Sequence, residues 1–217
     1  MGETLGQLVS VNVGKARTVE WHGRDVTTGI FKEPVTGPVA VNGYLAGDEV
    51  SDLRVHGGPD KAVYAYATED YAWWAAEIPE RTFPSGLFGE NLTTEGIDLA
   101  EAVIGERWQV GSVVLEVRQP RFPCFKLGLK MGDASFKDTF EDAGRSGAYF
   151  GVITPGTLTT GDEVVRVSRP DHGLRIADLV ASLDDPPVEL LERVLATPGV
   201  PPNMRQAAER ALRHLRG

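Results

Sequence analysis

A single cysteine lies at the centre of the stretch of this chain that is richest in chemically useful side chains. Cys124 is the only cysteine among 217 residues, and it stands in the tract RFPCFK between Arg121 and Lys126. A thiolate is the form of cysteine that binds soft metals, and neighbouring cations favour that form. From Arg118 to Lys130 the chain carries four cationic side chains and no acidic one. The tract predicts either a reactive thiol in a site for a small anionic ligand or, as the simpler alternative, a buried and inert cysteine.

Two further tracts combine glycine with polar side chains. The first, HGGPDKAVY, carries His56 and Lys61, and its paired Gly57 and Gly58 free the backbone to approach a ligand. The second, GLFGENL, holds a Glu-Asn pair next to a glycine. Each has an ordinary structural interpretation when it is taken alone. The first can be a capped surface turn in which His56 bonds only to backbone, and the second can be a hairpin loop.

Short strands are the elements that must position these tracts. Four segments alternate apolar and other residues with the two-residue period of a half-buried strand: residues 8–13, 39–44, 113–117 and 164–168. Pro120 lacks the N–H that continues a ladder, so the third strand should end there and deliver Cys124 to the end of the sheet. Beyond it, the pattern of residues 124–131 fits a strand and a helix face equally well. The 25 glycines and 14 prolines indicate tight turns between strands, so we expect a mainly β protein.

Helical patterns are confined to two regions. Apolar residues at helical spacing predict a helix over residues 68–77, capped by Thr68. Beyond Pro170 three short helices are predicted, and none is long enough to be stable alone in water. They must pack on one another, on the β domain or on a partner. We therefore predict a β domain over residues 1–170 and a small three-helix unit over residues 171–217.

Composition and charge narrow the class of protein. A chain with 41% hydrophobic and 24% charged residues is typical of a folded globular protein. Its formal net charge of −9 argues against binding to nucleic-acid polymers, which requires a basic surface. The N-terminus lacks the pattern of a secretory signal and no stretch has the ~20 apolar residues of a membrane span, so we expect a cytoplasmic protein with no membrane contact. The sequence also lacks the usual phosphate-binding, dinucleotide-binding and serine-hydrolase motifs and a closely spaced pair of zinc ligands.

Four tracts in a fixed order resemble one protein family. HGGPDKAVYAY, GLFGENLT, RFPCFK and GRSGAY are together similar to the MOSC domain, named after the C-terminal domain of molybdenum cofactor sulfurases. The three predicted C-terminal helices resemble the YiiM-type branch of that family, and the resemblance extends over nearly the whole chain. It implies a partly closed β-barrel with short helices, followed by the three-helix unit. It also implies a basic cavity that holds the molybdenum cofactor, a molybdopterin.

The resemblance implies roles for individual residues. Cys124 aligns with the signature cysteine of the family, which would coordinate molybdenum, and a soft thiolate suits that metal. The candidate cofactor contacts are Lys61, Arg121, Lys126, Arg145, Gly57 and Gly58. Such cationic and backbone donors suit the phosphate of a pterin cofactor. The candidates for the catalytic, substrate-facing side are His56, Glu90 and Asn91.

An activity is implied as well. Members of this branch are similar to enzymes that reduce N-hydroxylated small molecules, such as 6-hydroxylaminopurine, to amines. An iron–sulfur cluster would need about four cysteines, so a separate flavin- or NAD(P)H-dependent reductase is expected to supply the electrons. Two alternatives remain open. Cys124 could carry a persulfide as a sulfur carrier, or the chain could be a non-enzymatic cofactor-binding module that docks through its helices.

Overall fold

Strands make up most of the regular structure in the computed structural model, which describes residues 2–50, 57–183 and 186–216. The strands are β1 (Glu3–Val13), β2 (Arg17–Trp21), β3 (Arg24–Thr28), β4 (Glu33–Pro34), β5 (Val39–Val41), β6 (Val63–Ala67), β7 (Leu92–Glu95), β8 (Arg107–Val110), β9 (Val113–Pro120), β10 (Ala148–Thr154), β11 (Gly156–Leu158) and β12 (Glu163–Ser168). The α-helices are α1 (Thr68–Glu77), α2 (Phe125–Met131), α3 (Phe136–Asp142), α4 (Ile176–Ala181), α5 (Val188–Ala196) and α6 (Pro202–Arg216). Within the described ranges, no helix has the length and apolar character needed to cross a membrane.

The longer strands close into a barrel. Its order is β12-β8-β9-β10-β6-β7-β1, and β1 pairs back onto β12 to complete the ring. The β6–β7 pair is parallel, whereas the other pairs of the ring are antiparallel. Strand β4 adds to β1 outside the ring. The predicted β-barrel with short helices is confirmed.

Apolar side chains of alternating strand positions fill the barrel. Val113, Leu115 and Val117 of β9 are almost completely buried, as the two-residue pattern predicts. The segments predicted at 8–13, 113–117 and 164–168 lie within β1, β9 and β12. The segment predicted at 39–44 is a strand only as far as Val41. The chain turns back there through Gly43, whose φ is 76°. Residues other than glycine rarely adopt a positive φ of this size.

Two helices, α1 and α2, differ from the sequence predictions or settle what those predictions left open. Helix α1 has the predicted span, but Thr68 is its first residue and Ala67 of β6 is its N-cap, without a side-chain capping bond. The strand leads directly into the helix, and the Thr68 hydroxyl bonds to Glu69 Oε2 at 3.2 Å instead. The ambiguous residues after Cys124 form helix α2, which ends at the left-handed Gly132.

Helices α4, α5 and α6 follow the barrel where the three-helix pattern predicts them. Leu179, Leu191 and Leu212, one from each helix, are buried in a core that is continuous with the barrel core. Asn203 of α6 also donates a hydrogen bond of 2.8 Å to Gln119 of β9. The helices therefore pack on the barrel. The domain boundary at residue 170 stays a prediction.

A second core, rich in aromatic rings, joins the barrel to helices α1, α2 and α3. Its buried members are Tyr64, Tyr66, Tyr71, Trp74, Phe88, Leu127, Met131, Phe136 and Phe140. Trp74 and Phe140 stack at 5.9 Å between ring centroids, and Phe88 makes an edge contact with Phe140 at 5.1 Å. Because Leu127 and Met131 belong to α2, this cluster fixes the helix that begins immediately after Cys124.

Candidate functional site

The glycine-rich and cysteine tracts meet at a cavity of about 100 Å³. The polar side chains that line it include Lys32, Lys61, Asn91, Arg121, Cys124 and Lys126, together with the carboxylates of Asp48 and Glu49. Gly57 of the first tract and Tyr149 of the fourth also lie in its wall. The fold thus brings together a thiol, an amide, four cations and two carboxylates from distant parts of the sequence, so the cations outnumber the carboxylates. An excess of positive charge around a soft nucleophile favours a small anionic ligand.

Cys124 is held at the junction between a strand and a helix. Strand β9 ends at Pro120, as the sequence predicts, and four residues later Cys124 is the N-cap of α2. Its carbonyl oxygen accepts a hydrogen bond of 2.9 Å from the Leu127 N–H. The residue is partly exposed and lines the cavity, so a bound ligand can reach its sulfur.

Arg121 supplies a buried positive charge to the same cavity. The residue is only 6% exposed, and its guanidinium carbon lies 5.4 Å from the ring centroid of Tyr64 and 5.0 Å from that of Phe140. Burial lowers the pKa of Arg121, but the phenol groups of Tyr64 and Tyr149 outweigh that effect and the net shift is upward. One guanidinium nitrogen, Nη1, is buried without a hydrogen-bond partner in the described part of the chain. Such a charge is costly to bury unless an acceptor satisfies it, so this nitrogen fits an anionic ligand.

Lys32 is the fourth cation of the site, and it lies outside the sequence tracts that predict the other three. Its Nζ makes a close ion pair with Asp48, and burial lowers the pKa of Lys32 despite that pair. Asp48 Oδ2 in turn accepts a hydrogen bond of 2.9 Å from Asn91 Nδ2. Neither Lys32 nor Asp48 belongs to a polar tract. Their meeting depends on long-range packing, which no local pattern records.

Asn91 lines the cavity, but its side-chain amide is already hydrogen-bonded to other groups of the protein. Besides the bond to Asp48, Nδ2 donates to the Asn12 carbonyl at 3.3 Å, and Oδ1 accepts from the Tyr64 N–H at 3.1 Å. The amide thereby links β6, β1 and the loop that carries Asp48. In this arrangement Asn91 shapes the cavity wall, and a catalytic role for it stays a prediction.

Glu90 lies behind the cavity wall and does not line it. It is fully buried, and its Oε1 accepts hydrogen bonds from the Tyr71 hydroxyl at 2.7 Å and from the Thr93 hydroxyl at 3.0 Å. Burial raises the pKa of Glu90. Lys130, nearby on α2, donates to the carbonyl oxygens of Ile30 and Gly86. Together these groups brace the two loops that carry part of the cavity wall.

Lys130 makes stability depend on pH, because burial lowers the pKa of this lysine to about 8. Between about pH 8 and pH 10.4 the unfolded chain binds a proton at this side chain that the folded chain does not. The free energy of unfolding should therefore rise with pH across that window, and the lowered pKa of Lys32 acts in the same direction. Thermal unfolding measured from pH 7.5 to 9.5 should show a rise in Tm for the natural protein and a flatter profile for Lys130→Met. Lys15→Met, at a side chain that is 72% exposed, is the control. Parallel profiles for all three proteins would contradict the role of Lys130.

The remaining predicted site residues are divided between the cavity and its surroundings. Gly58 is not part of the cavity wall, and its N–H donates to the Tyr44 hydroxyl at 3.1 Å. Arg145 also lies outside the wall, where it bonds to Asp70 at 2.6 Å and sits 4.6 Å from the Trp73 ring. Arg145 therefore braces α1 in this structure. His56 lies outside the described residues.

Known proteins are similar to this chain in both sequence and fold. The MOSC domain model matches residues 52–165. YflK from Bacillus subtilis (strain 168) is 34% identical over 192 residues, which are 87% of this chain and 86% of that protein. A protein of Gibberella moniliformis named "Reductase" is 34% identical over 171 residues, which are 76% of this chain but 30% of that protein. The crystal structure of YiiM from Geobacillus stearothermophilus superposes with a TM-score of 0.77 at 31% identity, over 94% of this chain and 97% of that one.

Proposed function

This chain belongs to the MOSC domain family, and from that premise we propose that it binds a molybdenum cofactor through Cys124 and reduces N-hydroxylated compounds to amines. The observation that carries the proposal is the cavity, whose wall contains a partly exposed thiol, four cations and two carboxylates. One of the cations, Arg121, has a nitrogen that no group among the described residues satisfies. The name of the fungal relative is in keeping with a reductive activity.

The donor set fits the two ends of a molybdopterin. Cys124 offers the soft thiolate that would hold molybdenum, and within the described cavity wall it is the one soft ligand. Lys32, Lys61, Arg121 and Lys126 offer charge and N–H donors for the terminal phosphate. An anionic partner stabilises a cation buried as deeply as Arg121 more than an exposed one, because water cannot take the place of that partner.

The reaction needs two electrons and two protons: the N–O bond of R–NHOH breaks, and R–NH₂ and water are formed. When bound, the cofactor supplies two-electron redox chemistry at the oxygen that leaves. The chain would hold the phosphate with its cations and orient the substrate beside Cys124. His56 is the proposed proton donor, on the strength of the family resemblance. The electrons would come from a separate flavin- or NAD(P)H-dependent reductase, in the cytoplasm.

Elemental and pterin analysis is the experiment that tests this proposal. Protein purified from cells that make the cofactor should contain close to one molybdenum and one pterin per chain. It should also reduce 6-hydroxylaminopurine to adenine with a chemically reduced viologen as the electron donor. Labile sulfur on Cys124 without metal would instead indicate a sulfur carrier. Bound molybdenum without turnover of any N-hydroxylated compound would indicate a cofactor-binding module.

Replacing Arg121 should loosen the cofactor. Because a hydrogen bond to a charged group contributes about 1.5–3 kcal/mol, Arg121→Gln should lower cofactor retention by roughly 10- to 100-fold. Arg121 is 6% exposed and salt screens buried charges weakly, so the loss should persist at high ionic strength. Pterin content after gel filtration at low and at high salt measures it. The control is Arg107→Gln. Arg107 is a half-exposed arginine outside the cavity wall whose side chain bonds to Glu116 at 2.7 Å, and this variant should retain the cofactor. Equal retention by both variants would contradict a contact between Arg121 and the cofactor.

A further inference from the structure

A two-stranded ribbon of strands β2 and β3 is attached to the wall of the cavity at Cys124. Among the described residues, these two strands pair with each other and with no other strand. Thr28, the last residue of β3, lines the cavity together with the two residues that follow it. In β2 the guanidinium carbon of Arg17 lies 3.5 Å from the ring centroid of Phe31. A molecule that binds along the ribbon is therefore held next to the cavity.

The two faces of the ribbon differ in chemistry. Directly paired residues of an antiparallel ribbon point to the same face, so the register defines both sets of side chains. One set, termed the cationic face, has two arginines, three apolar side chains and a threonine: Arg17, Val19, Trp21, Arg24, Val26 and Thr28. The opposite set has two threonines and two carboxylates: Thr18, Glu20, Asp25 and Thr27. The charges of the cationic face are thus all positive, although the chain has a net charge of −9.

The apolar side chains of the cationic face lie outside the cores of the protein. Val19, Trp21 and Val26 are each partly exposed, and none of them belongs to either hydrophobic cluster of the described residues. A ribbon of two strands is only marginally stable by itself, so a partner that covers these side chains would stabilise it. Tryptophan and arginine are also enriched among the residues that dominate binding between proteins. The cationic face therefore has the composition of a protein interface.

Charge decides which partner fits the cationic face. In a symmetric dimer of this chain the same face meets itself, and Arg17 and Arg24 would then lie near the arginines of the second copy. Like charges across an interface disfavour binding, whereas an acidic partner is attracted. The proposed function requires a visiting protein at this side of the molecule, because electrons must arrive beside Cys124.

We propose that the cationic face docks the electron-donating protein, and that this donor presents an acidic surface around its redox group. The inference rests on the proposed reductase function, in which the donor is oxidised by two electrons for each substrate molecule reduced. A donor bound along the ribbon lies next to the cavity without filling it. A ribbon offers a small interface, which is typical of transient electron-transfer complexes. Opposite charges on the two proteins would speed their encounter.

Electron transfer from reduced flavodoxin, a small acidic flavoprotein, tests the proposal beside a donor that needs no docking, a chemically reduced viologen. Arg24→Glu should lower kcat/KM for flavodoxin at least about tenfold at low ionic strength and by less at high ionic strength, because salt screens exposed charges. Trp21→Ala should lower it at least about tenfold at both ionic strengths, because it removes apolar contact. The rate with the viologen should stay within about twofold for both variants.

Arg210→Glu is the matched control. It reverses an exposed arginine of α6 outside the cavity wall, so it changes the net charge by the same amount as Arg24→Glu and should retain the rate with flavodoxin. Equal rates for these two charge-reversal variants would overturn the proposal. So would a natural protein that turns over with the viologen but not with flavodoxin, or an equal loss with both donors in Trp21→Ala.

Calorimetric titration of the purified protein with oxidised flavodoxin separates the docking surface from the reductase function. Flavodoxin should bind the natural protein and Arg210→Glu alike, and it should bind Arg24→Glu and Trp21→Ala at least about tenfold more weakly. If the protein reduces no substrate even with the viologen, the reductase function fails while the titration still decides the surface. No binding by the natural protein would overturn the proposal. A natural dimer that dissociates in Trp21→Ala, measured by light scattering, would assign the face to a second copy and overturn it as well.

Discussion

Cys124→Ala should abolish both molybdenum binding and the reduction of N-hydroxylated compounds. The sulfur is the one soft ligand in the described cavity wall, so its loss removes the protein's bond to the metal. Loss of even a supporting partner of a metal ligand costs about 10- to 100-fold in affinity, and loss of the ligand itself should cost more than 100-fold. The cations of the cavity remain in this variant. Pterin content should therefore fall less than molybdenum content.

The matched control for this change is Ser135→Ala. Ser135 is the N-cap of α3 as Cys124 is of α2, and it is exposed, so the control removes one heteroatom from an N-cap residue that lies outside the cavity wall. Both variants should unfold close to the natural temperature, because neither side-chain atom belongs to the buried core. Full metal loading and turnover by Cys124→Ala would refute the assignment of Cys124 as the metal ligand.

Phe88→Ala should produce the largest loss of stability among the substitutions considered. Phe88 is completely buried, lies in the cavity wall and touches rings from four parts of the chain, including Tyr66, Trp74 and Phe136. Removing such a ring costs about 3–5 kcal/mol of the free energy of unfolding, because the surrounding structure cannot collapse into the space. For a chain of this size that corresponds to a decrease in Tm of between about 6 and 20 °C.

Differential scanning calorimetry of Phe88→Ala and Phe125→Ala measures both Tm values. It shows whether a loss of stability comes from removing a buried ring or from changing a residue next to Cys124. Phe125 follows Cys124 directly but is 51% exposed, so its truncation should change the free energy of unfolding by no more than about 0.5 kcal/mol. Phe88→Ala should also lose cofactor, since Phe88 and Gly89 both belong to the cavity wall. A Tm for Phe88→Ala within 2 °C, approximately, of the natural value would show that the aromatic cluster does not stabilise the site.

Local patterns in the sequence account for much of the fold and for part of the site. The alternation around Val113 and the break at Pro120 predict β9 and its end, and both depend on residues that are neighbours in the chain. The alternation over residues 39–44 predicts a longer β5 than the structure has, because the turn at Gly43 ends the strand inside the alternating segment. The position of Cys124 at a helix start could not be predicted, since its periodicity fits two elements equally.

The sequence predicts individual site residues only in part, because packing decides which side chains reach the cavity and which are buried behind its wall. The family resemblance implies Lys61 and Arg121 as cofactor contacts, and both line the cavity that contains Cys124. The tracts that carry this resemblance also contain Glu90, which the packing of Tyr71 and Thr93 places behind the wall. They omit Lys32, which reaches the cavity through its pair with Asp48. Side-chain direction at these positions follows from tertiary contacts, and a short motif does not encode it.

The pairing of β1 with β12 has a consequence for the order of folding. The register joins Glu3 to Arg166 and Gln7 to Glu163, so the two ends of the barrel sequence form one seam. Contacts between such distant residues carry a high entropic cost of loop closure and form slowly. During synthesis β1 leaves the ribosome before the other strands of the barrel and pairs with β12 only after almost the whole barrel has followed. Until β12 arrives, one edge of the sheet is open to other chains, and a molecular chaperone that shields β1 would be expected to raise the yield of folded protein.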